Sequence, residues 1–127
     1  MKTGSCECGA VQFQSEGPWR EVIACHCGQC RKSSGNYWAA TAVPTAALDI
    51  IKSETLQWYR SSDFAQRGFC NACGSSLFYK RDGVDFTSIG AGCVDGASGL
   101  TLEKHIFMDD KGDYYEIADG VEQIAKY

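Results

Sequence analysis

Seven of the eight cysteines in this chain stand in three tight groups: Cys6-Glu7-Cys8, Cys25-His26-Cys27-Gly28-Gln29-Cys30 and Cys70-Asn71-Ala72-Cys73-Gly74. Grouped thiols pair oxidatively as disulfides or give up protons to a soft metal ion. The chain starts Met1-Lys2-Thr3-Gly4-Ser5 and runs directly into the first group, with no apolar stretch of the kind an export signal carries. Thiols kept in the cytoplasm stay reduced, so the close spacings predict metal sites rather than a disulfide framework.

Spacing also divides the sulfurs between sites. In an extended segment residues i and i+2 point the same way, so Cys6 with Cys8, and Cys25 with Cys27, each present two sulfurs to one ion. Cys70 and Cys73, followed by Gly74, form the two-residue-spaced knuckle of zinc ribbons, which supplies two more. Structural zinc takes four ligands, so one CxC pair and the knuckle close a site on Cys6, Cys8, Cys70 and Cys73. The middle group offers Cys25, Cys27 and Cys30, enough to hold a second ion locally with one position unassigned. Catalytic zinc has this form, three protein ligands plus water or substrate. A thiol bound there becomes a thiolate, the form that attacks carbonyl carbon, so Cys25, Cys27 and Cys30 are the candidate catalytic set. Two residues compete for the fourth position. His26 is disfavoured because, between two ligands in an extended chain, it faces away from the ion. Cys93 lies in a glycine-rich stretch from which it could reach either cluster, and either residue as fourth ligand would make both sites structural.

The elements that must position these residues are mostly strands. Strand-like runs bounded by Gly, Asn, Asp or Ser cover residues 10–14, 21–24, 37–43, 48–52, 55–60, 65–69, 76–80, 84–89, 104–108 and 114–117. Val11 and Phe13 alternate with Gln12 and Gln14, the period of a sheet with one buried face. Helical periodicity is weak: residues 28–34 and 44–47 are short turns, and no long helix is expected. Residues 90–99, rich in glycine, are expected to form the mobile loop. No repeat, low-complexity tract or composition break divides the chain, so residues 1–127 are read as one zinc-binding domain.

Composition removes several functional classes. With 44% hydrophobic and 22% charged residues the 127-residue chain can bury a core. No apolar run approaches the roughly 20 residues of a membrane helix, so no membrane partner is expected. A formal net charge of -4 argues against nucleic acid, whose phosphates call for clustered Lys and Arg.

Four segments in order resemble the glutathione-dependent formaldehyde-activating enzyme family, which includes centromere protein V. They are Gly4-Ser5-Cys6-Glu7-Cys8-Gly9-Ala10-Val11, Cys25-His26-Cys27-Gly28-Gln29-Cys30-Arg31-Lys32, Phe69-Cys70-Asn71-Ala72-Cys73-Gly74-Ser75 with Leu77-Phe78, and His105-Ile106-Phe107. The resemblance implies an all-β zinc-binding fold of the β-tent type, stacked antiparallel sheets with short helical turns. It implies two zinc ions, a structural one on Cys6, Cys8, Cys70 and Cys73 and a second on Cys25, Cys27 and Cys30 that engages a thiol such as glutathione. It further implies a carbon-sulfur lyase activity, the reversible condensation of glutathione with formaldehyde to S-hydroxymethylglutathione. Near the C-terminus Asp113-Tyr114-Tyr115 stands where the family usually has a Pro-Trp-aromatic run, and Val121-Glu122-Gln123 lacks its common Leu-Pro. Cys93 matches no family ligand and is read as a bystander thiol.

The expected function is therefore zinc-dependent chemistry on thiol adducts of formaldehyde or a related small aldehyde, in the cytoplasm. The alternatives are a thiol-binding carrier without turnover and a structural interaction domain in which both metals have four protein ligands. Three side-chain readings complete the expectation. Arg31, Lys32 and Arg67 could meet glutathione's carboxylates but are better read as solvated charges. His105, beside Ile106 and Phe107, is read as a hydrogen-bonded structural histidine rather than a proton shuttle. Trp19, Trp38 and Trp58 are read as core.

Overall fold

The computed structural model describes residues 1–127. Eleven strands form in chain order: β1 (Lys2–Ser5), β2 (Gln12–Ser15), β3 (Val22–Cys25), β4 (Trp38–Pro44), β5 (Asp49–Lys52), β6 (Leu56–Ser62), β7 (Ala65–Cys70), β8 (Ser76–Arg81), β9 (Phe86–Gly90), β10 (Leu102–Ile106) and β11 (Glu122–Gln123). One helix, α1 (Gly28–Ser34), and three 3-10 turns complete the chain. The strands make two sheets, ordered β1-β2-β5 and β11-β10-β3-β4-β9-β8-β7-β6. This is the all-β, β-tent architecture expected, with one departure: β10 runs parallel to both β3 and β11 at the C-terminal edge.

The period of two decides what each face of the large sheet does. One row of residues across it, Gly68, Phe78, Ile89 and Thr41, faces the small sheet. There Phe78 meets Phe13 of β2 edge to face, ring centroids 5.4 Å apart, within a core that includes Val11, Val43 and Leu77. Each such buried apolar side chain stabilises the fold by about 1.5–3 kcal/mol. The neighbouring row, Arg67, Tyr79, Ser88 and Ala42, points the other way.

Four local expectations need correction. Cys6-Glu7-Cys8 is a turn leaving β1, itself an unexpected strand, rather than an extended pair. The strand expected at 104–108 ends at Ile106, where Phe107 adopts a left-handed conformation (φ 55°) and turns the chain into a 3-10 turn, Met108–Asp110. Residues 114–117 are not a strand, because Glu122 and Gln123 take the pairing positions beside β10 instead. Residues 90–99 are tied down rather than loose: Gly4 bridges Val94, the Asp95 amide donates to the Thr3 carbonyl at 2.9 Å, and the Thr3 hydroxyl donates to the Asp95 carboxylate at 2.7 Å.

That docking depends on the absence of a side chain at Gly4, where a Cβ would collide with the Phe13 ring and the Cys93 carbonyl. Gly4→Ala is expected to lower the unfolding free energy by about 1–3 kcal/mol through overpacking, read as a shift in the urea midpoint at unchanged m-value.

Candidate metal centres and the cavity beside them

Two turns, 62 residues apart in sequence, bring four sulfurs together. Cys6 and Cys8 come from the turn after β1, Cys70 ends β7, and Cys73 lies in the turn leading to β8. Four thiolates about 2.3 Å from a central ion stand about 3.8 Å apart at the edges of a tetrahedron. Cys6 Sγ is 3.6 Å from Cys8 Sγ and Cys8 Sγ is 3.8 Å from Cys70 Sγ. The Val11 amide donates to Cys6 Sγ at 3.2 Å and the Cys73 amide to Cys70 Sγ at 3.4 Å. The hydroxyls of Thr55 and Ser75 sit 3.2 and 3.3 Å from the sulfurs of Cys70 and Cys73. These donors favour thiolate over thiol: the Thr55 contact lowers Cys70, and the Ser75 hydroxyl and amide bring Cys73 down to about 5. An all-sulfur donor set with this spacing fits a soft divalent ion.

The second cluster is local. Cys25 ends β3, and Cys27 caps α1, its sulfur accepting from the Cys30 amide at 3.4 Å. Gly35 closes the helix in a left-handed conformation, its amide donating to the Arg31 carbonyl at 2.7 Å. The seven-residue helix thus returns Cys30 to the side of Cys25 and Cys27, and the three sulfurs lie within 4.8 Å of one another. Cys27 is held far below the ordinary thiol value, first by hydrogen bonds with Cys25 and Cys30, then by the Cys30 amide and the Arg67 charge. Cys25 moves up as it donates to Cys27. Cys30 also moves up: contact with Cys25 lowers it, but contact with Cys27 and burial outweigh that. Crowded sulfurs hold a single negative charge between them unless a cation compensates the others.

This trio opens onto a cavity of about 790 Å³. Its floor is the face of the large sheet turned away from the core, so lining residues recur two apart: Ile23 and Cys25, Trp38 and Ala40, Tyr79 and Arg81. Cys25 pairs directly with Trp38 and Arg67 with Tyr79. The Arg67 guanidinium lies 5.6 and 5.1 Å from the ring centroids of Trp38 and Tyr79, and donates to Cys30 Sγ at 3.5 Å and to Gln29 Oε1 at 3.3 Å. Arg20 and Arg81 also line the cavity. None of the three arginines has a carboxylate partner, and no Asp or Glu lines the wall. The site therefore attracts anions.

Behind the trio, His26 and His105 are fully buried and joined in one chain of hydrogen bonds. Tyr115 Oη is 2.7 Å from His26 Nδ1, His26 Nε2 is 2.9 Å from His105 Nδ1, and His105 Nε2 is 2.8 Å from Asp119 Oδ2. The carboxylate only accepts, so with one proton per ring the chain has a single direction: Tyr115 donates to His26, His26 to His105, and His105 to Asp119. The C-terminal segment thereby braces the residue between two of the three sulfurs. Arg31 adds a second brace, donating to the Asp110 carbonyl at 2.6 Å.

Residues 1–110 match the family described as Glutathione-dependent formaldehyde-activating enzyme. The chain belongs to this family. An uncharacterized lyase of Schizosaccharomyces pombe is 29% identical over 117 residues, 91% of this chain and 85% of that protein. A Halomonas elongata protein, provisionally named a glutathione-dependent formaldehyde-activating enzyme, is 27% identical over 124 residues, 90% of this chain and 79% of its own length. A crystal structure of a Rhodobacter sphaeroides protein shares the fold, with a TM-score of 0.66 at 22% identity over 76% of this chain and 91% of that one.

Within this glutathione-dependent formaldehyde-activating fold, each cysteine grouping drawn from spacing is also a grouping in space. Both ring nitrogens of His26 are engaged away from the sulfurs. Cys93 packs near the four-sulfur cluster instead of the trio, and burial holds its thiol up at about 11. Three side-chain readings change. Arg67 is not a solvated charge but lies in the cavity beside Cys30, whereas Arg31 is structural and Lys32 is exposed. Trp38 lines the cavity instead of the core, whereas Trp58 stacks on the core ring of Phe78 at the sheet edge and Trp19 packs against the core. Arg20, Tyr79 and Arg81 were missed; the period of two through Tyr79 and Arg81 was the available signal, but their strand's cavity face is set by partners distant in sequence.

Burial, with the neighbouring His105, holds His26 down to about 4 against an ordinary 6.5. Its folded pKa lies below its unfolded one, so between those values the unfolded chain binds the extra proton. Stability from this group is accordingly complete above about pH 6.5 and is lost as pH falls toward 4. An NMR titration is expected to show His26 still neutral at pH 5.5; a midpoint near 6.5 would contradict the buried arrangement.

Proposed function

We propose that this protein is a zinc-dependent carbon-sulfur lyase acting on adducts between glutathione and formaldehyde or a related small aldehyde. The observation that carries this reading is the contrast between the clusters: four sulfurs closed on one another, and three sulfurs opening onto an anion-attracting cavity. On this reading Cys6, Cys8, Cys70 and Cys73 hold a structural zinc, Cys25, Cys27 and Cys30 hold a second one, and residues 1–127 work as one unit. Reduced thiols suit a cytoplasmic setting. The family description and the names of the relatives support the reaction class.

A zinc ion held by Cys25, Cys27 and Cys30 would supply Lewis acidity that favours the thiolate form of an incoming thiol. The reaction itself conserves every atom. A carbon-sulfur bond forms between thiol and carbonyl carbon, the carbonyl π pair moves to oxygen, and that oxygen takes up the proton the thiol lost. Protein side chains supply the rest. Arg67, fixed between two ring faces next to Cys30, presents guanidinium N–H groups to the oxygen on which charge develops. Arg20 and Arg81 offer charge to the carboxylates of the thiol. Trp38 and Tyr79 exclude water from the reacting carbonyl, which favours addition of sulfur over hydration.

The purified protein is expected to contain two zinc ions per chain by elemental analysis. Cys27→Ser should keep one, remain folded, and lose glutathione binding by calorimetry together with adduct formation. Cys73→Ser should lose the fold itself, because metal and folding are coupled at a closed site. Glutathione binding without acceleration of adduct formation would make the protein a carrier, and absence of glutathione binding would leave a structural module. Arg67→Lys should lower kcat/KM about 10- to 100-fold with zinc content unchanged, since an ammonium cannot keep both the ring stacking and the fork to Cys30 and Gln29.

A further inference from the structure

The cavity holds more apolar surface than glutathione and formaldehyde can use. At about 790 Å³ it is of the size that encloses a ligand as large as glutathione, but its wall is not matched to that ligand alone. Glutathione brings two carboxylates, an ammonium and two amides, groups served by arginines and solvent, but no apolar side chain. Yet the wall beyond the arginines is built from Phe64, Phe86, Ile106 and Phe107, continuing from Trp38 and Tyr79.

Three of these residues stand out in exposure or backbone conformation. Phe64, in the turn between β6 and β7, is 50% exposed, and Phe86, at the start of β9, is 43% exposed, and both line the cavity. Phe107 holds a left-handed backbone conformation that a bulky residue rarely adopts, and it lines the same cavity. Arg81 stacks on the Phe64 ring at 4.8 Å, which fixes that ring's orientation. Exposed aromatics gathered on one concavity mark a place where an apolar group is bound.

We infer that the carbonyl partner in this cavity is an aldehyde with an apolar body, aromatic or branched, seated on Phe64, Phe86 and Phe107 while its carbonyl carbon faces the sulfurs of Cys25, Cys27 and Cys30. The inference rests on the lyase reading for the reaction but on the cavity wall alone for the ligand. The covalent step is the one already balanced: thiol sulfur adds to carbonyl carbon, and the oxygen gains the proton, with no change of oxidation state.

The test uses the full-length, zinc-loaded protein with glutathione and three aldehydes, formaldehyde, acetaldehyde and phenylacetaldehyde. Each rate is divided by that of the spontaneous reaction, which removes intrinsic electrophilicity. Phenylacetaldehyde is expected to show at least about a 10-fold larger enhancement than formaldehyde, with acetaldehyde between them, in line with the 10- to 200-fold discrimination that apolar contacts provide. Phe86→Ser and Phe64→Ser, substitutions at half-exposed positions, should each lower the phenylacetaldehyde-to-formaldehyde ratio about 10-fold. A second readout avoids turnover: phenylacetamide, an unreactive amide of the same shape, should bind at least 10-fold more tightly than acetamide by calorimetry, and Phe86→Ser should remove the difference. Selective binding of phenylacetamide with no acceleration for any aldehyde would retain the apolar subsite and overturn the lyase reading. Acceleration for formaldehyde equal to or above that for phenylacetaldehyde, with both amides bound alike, would overturn the apolar-aldehyde inference and leave the lyase reading intact.

Discussion

The convergence of two turns on four sulfurs is the constraint from which the other features follow. Cys8 of the N-terminal turn stands 3.8 Å from Cys70 at the end of β7, which ties the small sheet to the far half of the large one. Four thiolates at that spacing repel one another without a cation. A cation held by Cys6, Cys8, Cys70 and Cys73 would relieve that crowding, while the Phe13–Phe78 contact packs the two sheets together. Amide and hydroxyl donors around Cys6, Cys70 and Cys73 are already directed at the sulfurs, so the turns are shaped for thiolates.

Holding one face of the large sheet against the small one leaves its other face free. Because strand side chains alternate, every strand that contributes a core residue such as Phe78 or Ile89 also contributes a neighbour to the opposite side, such as Tyr79 or Ser88. The cavity is thus the unpartnered face of a sheet whose partnered face makes the core. Helix α1 closes one end and carries Cys30. A sheet face is stiffer than a loop, which suits a site whose arginine must stay within reach of a sulfur.

The three-sulfur cluster draws on a different part of the fold. Its ligands come from one short segment, but their setting is tertiary: His26 is gripped by Tyr115 and, through His105, linked to Asp119. A tyrosine at 115 can serve here because the bond to His26 needs only a hydroxyl at the right distance. The closed cluster and the open one therefore divide the labour, one joining distant segments and the other presenting sulfurs to the space they enclose.

Much of this was legible in the sequence because cysteine spacing is short-range. Three sulfurs in six residues, or a CxC pair and a knuckle, can share an ion with little help from the rest of the chain, and strand alternation through Val11 and Phe13 already indicates which side is buried. Helix α1 was equally local, bounded by its Cys27 cap and Gly35. Tertiary structure alone decided what surrounds the open cluster. Arg67 lies 37 residues from Cys30 and approaches it only because β7 is placed in the same sheet as β3; nothing near Arg67 in sequence distinguishes it from a solvated charge. The same holds for Trp38, whose pairing with Cys25 rather than with core residues depends on strand register, and for residues 114–117, whose strand-like pattern lost its place to Glu122 and Gln123. Local spacing selects ligands because the chain is too short there to do otherwise; the wall of a cavity is assembled from strands far apart in sequence, and their register is set by how the whole sheet packs.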